Sequence, residues 1–251
     1  MSVLTLTRII HSTVLIDFDG NTILTDPWFP QEPSYRRNEP LGITVDALPR
    51  LSGVFVSHPH FDHYDMKAFK NYTDKNVPFV VKRGISRALK KAGFKNVTEL
   101  DAWEETTLGS VKVTATPAKH LSPEITCIFS SSGFSVYFGG DTLFIPELAE
   151  ISNRFQFINL ALLPINGLVI RPLGNRKVVM NAEDAAKLCA ILRPRVAVPI
   201  HYEYSAGPIR DRIFLRYSGS TEQFQRDVGK VAPDTAVRIL APGESLQLKS
   251  P

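Results

Sequence analysis

Cysteine is scarce in this sequence, with two residues among 251. Cys127 and Cys189 form no Cys-x-x-Cys pair and lie near none of the six histidines. A scaffold held together by disulfides needs a larger, patterned set of cysteines. We therefore expect no disulfide framework and no requirement for an oxidising compartment.

Long apolar segments are also lacking, since no stretch approaches the roughly 20 residues of a membrane span. Residues 1–6 alternate like a strand and lack the charged start and long apolar core of a signal peptide. We expect a cytoplasmic location.

Runs of five or six like charges are missing too, and the net charge of +4 is spread out. This mild excess favours an anionic small-molecule substrate and is weak evidence for a nucleic-acid partner.

No linker rich in Gly or Ser and no short repeat divides the chain. Its residues are 43% hydrophobic and 22% charged, which is typical of a globular protein with a sizeable core. We predict that residues 1–251 form a single domain. The oligomeric state stays open, with a homo-oligomer among the options.

Apolar periodicity predicts strands followed by mixed strands and helices, roughly twice over. Predicted strands cover residues 3–10, 13–18, 21–25, 54–56, 78–81, 97–100, 106–116, 124–131, 134–138, 157–163, 196–200, 236–240 and 245–248. Predicted helices cover residues 65–72, 84–92, 144–153, 182–192 and 220–229. Asn181 with Asp184, and Ser220 with Gln223, predict helix caps. Long irregular segments remain at 30–50, 164–180 and 202–219, and the first is a candidate wall of a substrate pocket.

Four potential metal ligands follow the strand at 54–56 within six positions: His58, His60, Asp62 and His63. Imidazole nitrogen and carboxylate oxygen together suit zinc, iron or manganese. His58 and His60 are two apart and face the same way in an extended segment. Asp62 and His63 need a turn to reach the same region. The pattern predicts one metal on the first pair and a second on the later pair.

Five predicted strands deliver an acidic or imidazole residue just past their carboxyl ends. These residues are Asp26, His58, His120, Asp141 and His201. One sheet edge can gather such ends into a ligand cleft. Gly139 and Gly140 let the backbone approach closely before Asp141, although a simple turn is the alternative. Asp26 before Pro27 is either a turn residue or a carboxylate that orients a ligand histidine.

These positions lead to an assignment of two metal sites. His58, His60 and His120 would bind one ion, and Asp62, His63 and His201 a second. Asp141 would bridge both, and Asp62 could also pass protons. Two ions about 3.5–4 Å apart lower the pKa of a shared water from about 15.7 toward about 7. The resulting hydroxide would attack a carbonyl or phosphorus centre.

The sequence resembles the metallo-β-lactamase fold superfamily, whose hallmark His-x-His-x-Asp-His motif precedes a later His, Asp and His. The matching positions are His58, His60, Asp62, His63, His120, Asp141 and His201. Asp26 matches the first conserved aspartate of that family. The resemblance covers essentially the whole chain and implies an α/β fold, a four-layer αβ/βα sandwich with a dinuclear site along one edge. It implies two divalent ions, zinc foremost, with manganese, iron or nickel as alternatives.

Shorter motifs resemble the branch of ascorbate-phosphate lactonase-like and N-acyl-phosphatidylethanolamine phospholipase D-like hydrolases. They are residues 11–13, 25–28 and 139–142. This resemblance implies that His11 lies near the pocket, whereas a polar residue in a turn is the plainer interpretation.

We expect a metal-dependent hydrolase that cleaves a small ester, lactone or phosphoester. The alternative is a phosphodiesterase or nuclease acting on RNA or a phospholipid. RNA-processing relatives carry an extra domain or a long basic arm, and no Lys/Arg-rich arm appears here. A non-catalytic scaffold usually has lost ligands, and none is lost. A β-lactamase role has little support because resistance enzymes are usually exported.

Five arginines lie in the three long irregular segments: Arg37, Arg171, Arg176, Arg210 and Arg212. Guanidinium groups bind phosphate through two parallel hydrogen bonds, which would suit an anionic substrate. Simple exposure to solvent is the alternative for most of them.

Overall fold

Two mixed β-sheets of seven strands each form the frame of the described part of the chain. The computed structural model describes residues 1–30, 36–37 and 39–250. In chain order the strands are β1 Val3–Ile10, β2 Thr13–Phe18, β3 Asn21–Thr25, β4 Arg36–Arg37, β5 Gly53–Val56, β6 Phe79–Lys82, β7 Val97–Leu100, β8 Glu105–Leu108, β9 Val111–Thr116, β10 Thr126–Ser131, β11 Phe134–Phe138, β12 Leu160–Pro164, β13 Val169–Ile170, β14 Arg176–Lys177, β15 Val196–Ile200, β16 Tyr204–Ser205, β17 Leu215–Arg216, β18 Ala236–Val237 and β19 Ser245–Lys249. The α-helices are α1 Met66–Phe69, α2 Arg87–Lys91, α3 Ala149–Arg154, α4 Ala182–Leu192, α5 Pro208–Ile213 and α6 Thr221–Val231.

The strand order brings the ends of distant strands to shared edges. The first sheet runs β19-β1-β2-β3-β5-β6-β7, and β3, β5, β6 and β7 are parallel. The second runs β18-β15-β12-β11-β10-β9-β8, and β11, β12, β15 and β18 are parallel. Parallel strands end at the same edge, so each sheet gathers the residues that follow these strands there.

Apolar side chains fill three layers between these elements. Between the sheets, the Phe55 ring meets those of Phe129 and Phe138 edge to face, with centroids 5.6 and 5.9 Å apart. Phe69 of α1 and Leu89 of α2 pack on the outer face of the first sheet. Helices α3, α4 and α6 cover the outer face of the second. The order helix, sheet, sheet, helix confirms the predicted α/β four-layer sandwich.

Both predicted helix caps are present. The Asp184 N–H donates to Asn181 Oδ1 at 2.9 Å, and the Gln223 N–H donates to Ser220 Oγ at 3.2 Å. Helix α6 continues to Val231, past its predicted end at Gly229, since one glycine costs a helix only about 1 kcal/mol. The N-terminal meander β1-β2-β3 matches its predicted bounds.

Several predicted elements were wrong. The single strand predicted at 106–116 is two strands, β8 and β9, because the chain reverses at Gly109 with φ +59°. The segment 202–219 contains α5, β16 and β17, and 164–180 contains β13 and β14. α5 escaped prediction because its apolar residues Ile209 and Ile213 are exposed and show no core-facing stripe. The predicted helix at 144–153 begins as a 3-10 turn, Pro146–Leu148, before α3.

Three other predicted elements are shorter in the structure than in the prediction. The helices predicted at 65–72 and 84–92 shrink to α1 and α2, and the strand at 236–240 to β18. Residues 31–35 and 38 of the predicted 30–50 segment lie outside the described residues, as does the side chain of Arg37.

The two cysteines are free and buried, as expected from their spacing. Burial raises the pKa of the Cys189 thiol to about 12. Within residues 1–30, 36–37 and 39–250, no helix is both long and apolar enough to cross a bilayer.

Replacing Phe55 by alanine should lower the free energy of unfolding by about 3–5 kcal/mol, because it empties the contact between the two sheets. Phe157 provides the matched control, since its side chain is 80% exposed. Phe157→Ala should change stability by less than about 0.5 kcal/mol. Denaturant unfolding of both variants with the same metal content measures this, and equal effects would contradict the assigned core.

Candidate metal centre

Both sheets contribute to one cluster of imidazoles and carboxylates. Asp26 follows β3 and His58 follows β5 in the first sheet, whereas Asp141 follows β11 and His201 follows β15 in the second. His120 lies four residues beyond β9, which runs in the direction of β11. The predicted strand ends therefore meet, although they are far apart in sequence.

Three imidazoles form the first side of the cluster. His58 Nε2 lies 2.9 Å from His60 Nδ1, and His120 Nε2 lies 3.1 Å from the same atom. His120 Nδ1 faces the carbonyl oxygen of Val178 at 2.8 Å, and His58 Nδ1 faces Ser57 Oγ at 2.9 Å. A neutral ring that donates through Nδ1 keeps a lone pair on Nε2. Two lone pairs therefore converge on His60 Nδ1, which holds at most one proton.

Asp26 holds the second side in place. Its carboxylate accepts a hydrogen bond from His63 Nδ1 at 2.6 Å and from the Ser57 N–H and Oγ at 2.7 Å each. Its backbone N–H donates to the carbonyl of Phe55. Of the two interpretations of Asp26, the structure supports the carboxylate that orients a histidine. His63 Nε2 is thereby left to face the centre of the cluster.

Asp141 lies between the two sides. One carboxylate oxygen, Oδ2, is 2.9 Å from His201 Nε2 and 3.9 Å from the Nε2 atoms of His58 and His120. The other, Oδ1, is 3.2 Å from His63 Nε2. Asp141 is therefore within reach of both sides of the cluster.

Asp62 reaches the second side through the turn after His60. The His63 and Tyr64 N–H groups both donate to the carbonyl of His60, which supplies the reversal that the spacing requires. One donor atom each from Asp62, His63, His201 and His11 lie within 4.8 Å of one another. The structure thus brings all seven predicted positions together and adds His11 to them.

The unpaired atoms of the cluster test whether a metal fits. Within the described residues, the buried side-chain atoms without a hydrogen-bond partner include His63 Nε2, Asp141 Oδ1, both ring nitrogens of His201 and both of His11. Burying such groups unpaired costs free energy. A nitrogen and oxygen donor set that converges with lone pairs inward suits a divalent cation. The residues present fit metal ions.

Charge and burial shift the pKa values of the cluster in opposite directions. Burial lowers the pKa of His58 to about 3 and that of His60 to about 4, so both rings are neutral donors. Burial also disfavours charged His63, but Asp141 and Asp26 outweigh it and raise the pKa of His63 well above its ordinary value. The position between His63 and Asp141 therefore attracts a cation, whether a proton or a metal.

Backbone strain accompanies this arrangement. His11, Asp26 and His201 have φ values of +53°, +36° and +53°, in the left-handed region that non-glycine residues rarely adopt. Such conformations cost about 1–3 kcal/mol each and concentrate at functional sites. Gly139 allows close approach, because a Cβ there would lie 2.9 Å from the Leu162 carbonyl oxygen.

Glu124 is a buried participant that the sequence did not reveal. Its Oε1 accepts the Asp141 N–H at 2.7 Å and lies 3.3 Å from His58 Nδ1. Burial raises the pKa of Glu124 to about 8. A side chain on Gly140 would collide with Glu124 Oε1, which explains the second glycine before Asp141. A lone glutamate at a strand start carries no motif, so only the fold could identify it.

The described loop arginines lie outside this cluster. Arg171, Arg176, Arg210 and Arg212 are exposed, and Arg171 Nε donates to the Leu215 carbonyl. Solvent exposure, the plainer of the two interpretations, fits these four side chains.

Comparison with known proteins agrees with this fold. Residues 21–202 match the family model described as beta-lactamase superfamily domain. A metal-dependent hydrolase of Rubrobacter xylanophilus is 30% identical over 90% of this chain and 89% of its own. One of Caldivirga maquilingensis is 26% identical over 95% of each chain. The solved structure of Igni18, a novel metallo hydrolase from Ignicoccus hospitalis, superposes with a TM-score of 0.75 at 24% identity over 99% of this chain and 100% of that one.

Two stacked mixed sheets, with candidate metal donors gathered at their edges, define the metallo-β-lactamase fold. The chain belongs to the β-lactamase superfamily and is a metal-dependent hydrolase of that family.

Replacing Asp26 by alanine should weaken metal binding about 10–100-fold, because His63 and Ser57 lose the acceptor that orients them. Competition with a chromophoric chelator measures the affinity. Asp17→Ala is the matched control, since the Asp17 side chain accepts hydrogen bonds from the Gly20 N–H and Thr22 Oγ1 at the β2–β3 turn. Equal affinities for the two variants would contradict the role of Asp26.

Glu124→Ala should weaken metal binding by about tenfold, because it removes the acceptor for the Asp141 N–H. Glu124→Gln keeps a carbonyl oxygen in that place and should retain near-native affinity. The same chelator titration compares the two variants. Unchanged affinity in Glu124→Ala would show that Glu124 merely fills space.

Proposed function

We propose that this chain is a hydrolase that uses two divalent metal ions, with zinc expected first and manganese, iron or nickel as alternatives. The main support for this proposal is that seven donor side chains from both sheets converge on one region of the structure. His58, His60 and His120 would hold one ion, Asp62, His63 and His201 the other, and Asp141 both. Because both sheets supply donors, we also propose that residues 1–251 act as one hydrolase domain.

Bound ions would polarise the scissile bond and lower the pKa of an attacking water. The protein groups around them keep the donors in the correct form. The carboxylate of Asp26 and the Val178 carbonyl each accept a hydrogen bond from the Nδ1–H of a ring, which leaves the Nε2 of that ring available to a metal. Buried phenylalanines beneath the site keep the sheets rigid, so the donors need little reorganisation.

Asp62 is the residue we assign to proton transfer. Burial opposes its ionisation, but His11 and His63 outweigh burial and hold the pKa of Asp62 below its usual range. Its side chain is 14% exposed, so it can exchange a proton with the open side of the site. A carboxylate placed there can accept the proton of the attacking water and return it to the leaving group.

A cavity of about 280 Å³ beside the site supports a small substrate with an anionic group. It is lined by Lys119, Leu143, Phe144, Ile145, Lys177 and Asp184, and Lys177 Nζ pairs with the Asp184 carboxylate. Lys119 precedes His120 in the chain, and its N–H donates to Thr142 Oγ1, next to Asp141, so two segments that line the cavity also carry predicted metal donors. Because Asp184 pairs with Lys177, it is the Lys119 ammonium group with its apolar neighbours that suits a small ester, lactone or phosphoester carrying negative charge.

Purified protein should release its metal to a strong chelator, lose hydrolytic activity and regain it when zinc or manganese is restored. The substrates to compare are small lactones, phosphodiesters, N-acyl phospholipids and a short RNA. His60→Ala should lower kcat/KM by at least about 100-fold, because one ion loses a donor. Full activity in His60→Ala would overturn the site, and preferred cleavage of RNA or phospholipid would favour the alternative phosphodiesterase.

Lys119→Ala should raise KM for an anionic substrate about 5–30-fold while changing kcat little, since it removes one charge-assisted contact of about 1–2 kcal/mol. A neutral lactone of similar size serves as the internal control and should be almost unaffected. Lys187→Ala is the matched variant, because Lys187 pairs with Glu183 on the exposed face of α4. Equal losses on both substrates would contradict an anion-binding role for Lys119.

A further inference from the structure

His11 is buried among the metal donors with no hydrogen-bond partner of its own. Its side chain is 1% exposed, and neither ring nitrogen has a partner within the described residues. It lies in the two-residue turn between β1 and β2, where its backbone carbonyl accepts the His201 N–H at 3.3 Å. Burying an imidazole without a hydrogen bond costs free energy, and a bound metal ion would offset that cost.

The surroundings of His11 leave one direction for such a partner. Its ring centroid is 5.1 Å from that of Trp28 and 5.6 Å from that of Tyr204, and these aromatic rings close one side. The centroids of His201 and His63 lie 3.9 and 5.5 Å away on the side of the metal centre. The ring therefore lies between an aromatic wall and the second half of the site.

Resting on the function proposed above, we propose that His11 is a further protein ligand of the ion held by Asp62, His63 and His201. Donor atoms of these four residues lie within 4.8 Å of one another, as ligands of one ion must. The ligand set at this ion would then contain three imidazoles and Asp62, with Asp141 shared. The two ions would differ, because the aromatic rings of Trp28 and Tyr204 shield only the second.

A hydrogen bond to Asp62 is the competing role for His11. His11 Nε2 lies 3.5 Å from Asp62 Oδ2, and this approach does not satisfy hydrogen-bond geometry. In that role His11 would only position Asp62, and another donor of similar shape could replace it. The two roles therefore predict different results for a glutamine substitution.

The assignment is tested by measurements of metal binding, without an activity assay. Wild-type protein and the His11→Ala and His11→Gln variants are loaded with zinc or cobalt(II), and metal content, chelator competition and the cobalt d–d spectrum are recorded. We expect both variants to keep one tightly bound ion and to bind the second at least about 100-fold more weakly, with an altered cobalt spectrum. His11→Phe keeps the ring volume and gives the same readout if the alanine variant folds poorly.

Two outcomes would overturn the assignment. Native affinity for both ions in His11→Ala would leave His11 as packing, and native affinity in His11→Gln alone would make it a positioning residue for Asp62. Trp28→Phe is the matched control, because it alters the ring beside His11 and should leave metal content unchanged. Failure of the proposed function looks different, since wild-type protein would then bind no ion or hydrolyse none of the substrates.

Discussion

The structure depends on a set of buried donor atoms that the protein cannot satisfy by itself. Nε2 atoms of four histidines surround the carboxylate of Asp141 at 2.9–3.9 Å, and Asp141 Oδ1 and His63 Nε2 have no hydrogen-bond partner among the described residues. In a dry site such an arrangement is costly unless a cation stands among the donors. A metal ion bound among these donors would offset that cost.

The rest of the molecule serves to keep those donors in place. Two sheets pressed together through Phe55, Phe129 and Phe138 fix the strands whose ends carry the ligands. Around the cluster, Asp26, Ser57 and Glu124 fix ring orientation and the local backbone. Left-handed conformations at His11, Asp26 and His201 indicate that tertiary packing, rather than local preference, sets the chain direction here.

Much of this site could be predicted because it lies where strands end. His58 and His60 follow a short apolar run. The spacing of Asp62 and His63 required a turn, and the hydrogen bonds from the His63 and Tyr64 N–H groups to the His60 carbonyl form it. Glu124 could not be predicted, since its role depends on meeting Asp141 from a neighbouring strand. For His11 the sequence left two interpretations open, a place near the pocket and a polar turn residue, because a histidine in a hairpin turn looks the same in both; its burial beside His201 decides for the first.

Fold prediction failed where local pattern and tertiary position disagree. The reversal at Gly109 interrupts a run whose alternation continues on both sides, so one strand was expected where two exist. Helix α5 shows no apolar stripe because Ile209 and Ile213 do not enter a core. Neither case involves one of the seven predicted donor residues, so these errors left the predicted donor set unchanged.

Anomalous diffraction from crystals of the zinc-loaded protein is the most direct measurement of the central claim. The account predicts two peaks about 3.5–4 Å apart, one among His58, His60 and His120 and one beside Asp62, His63 and His201, with Asp141 between them. Zinc-loaded crystals with no peak among these side chains, and with their donor atoms paired to one another instead, would contradict it.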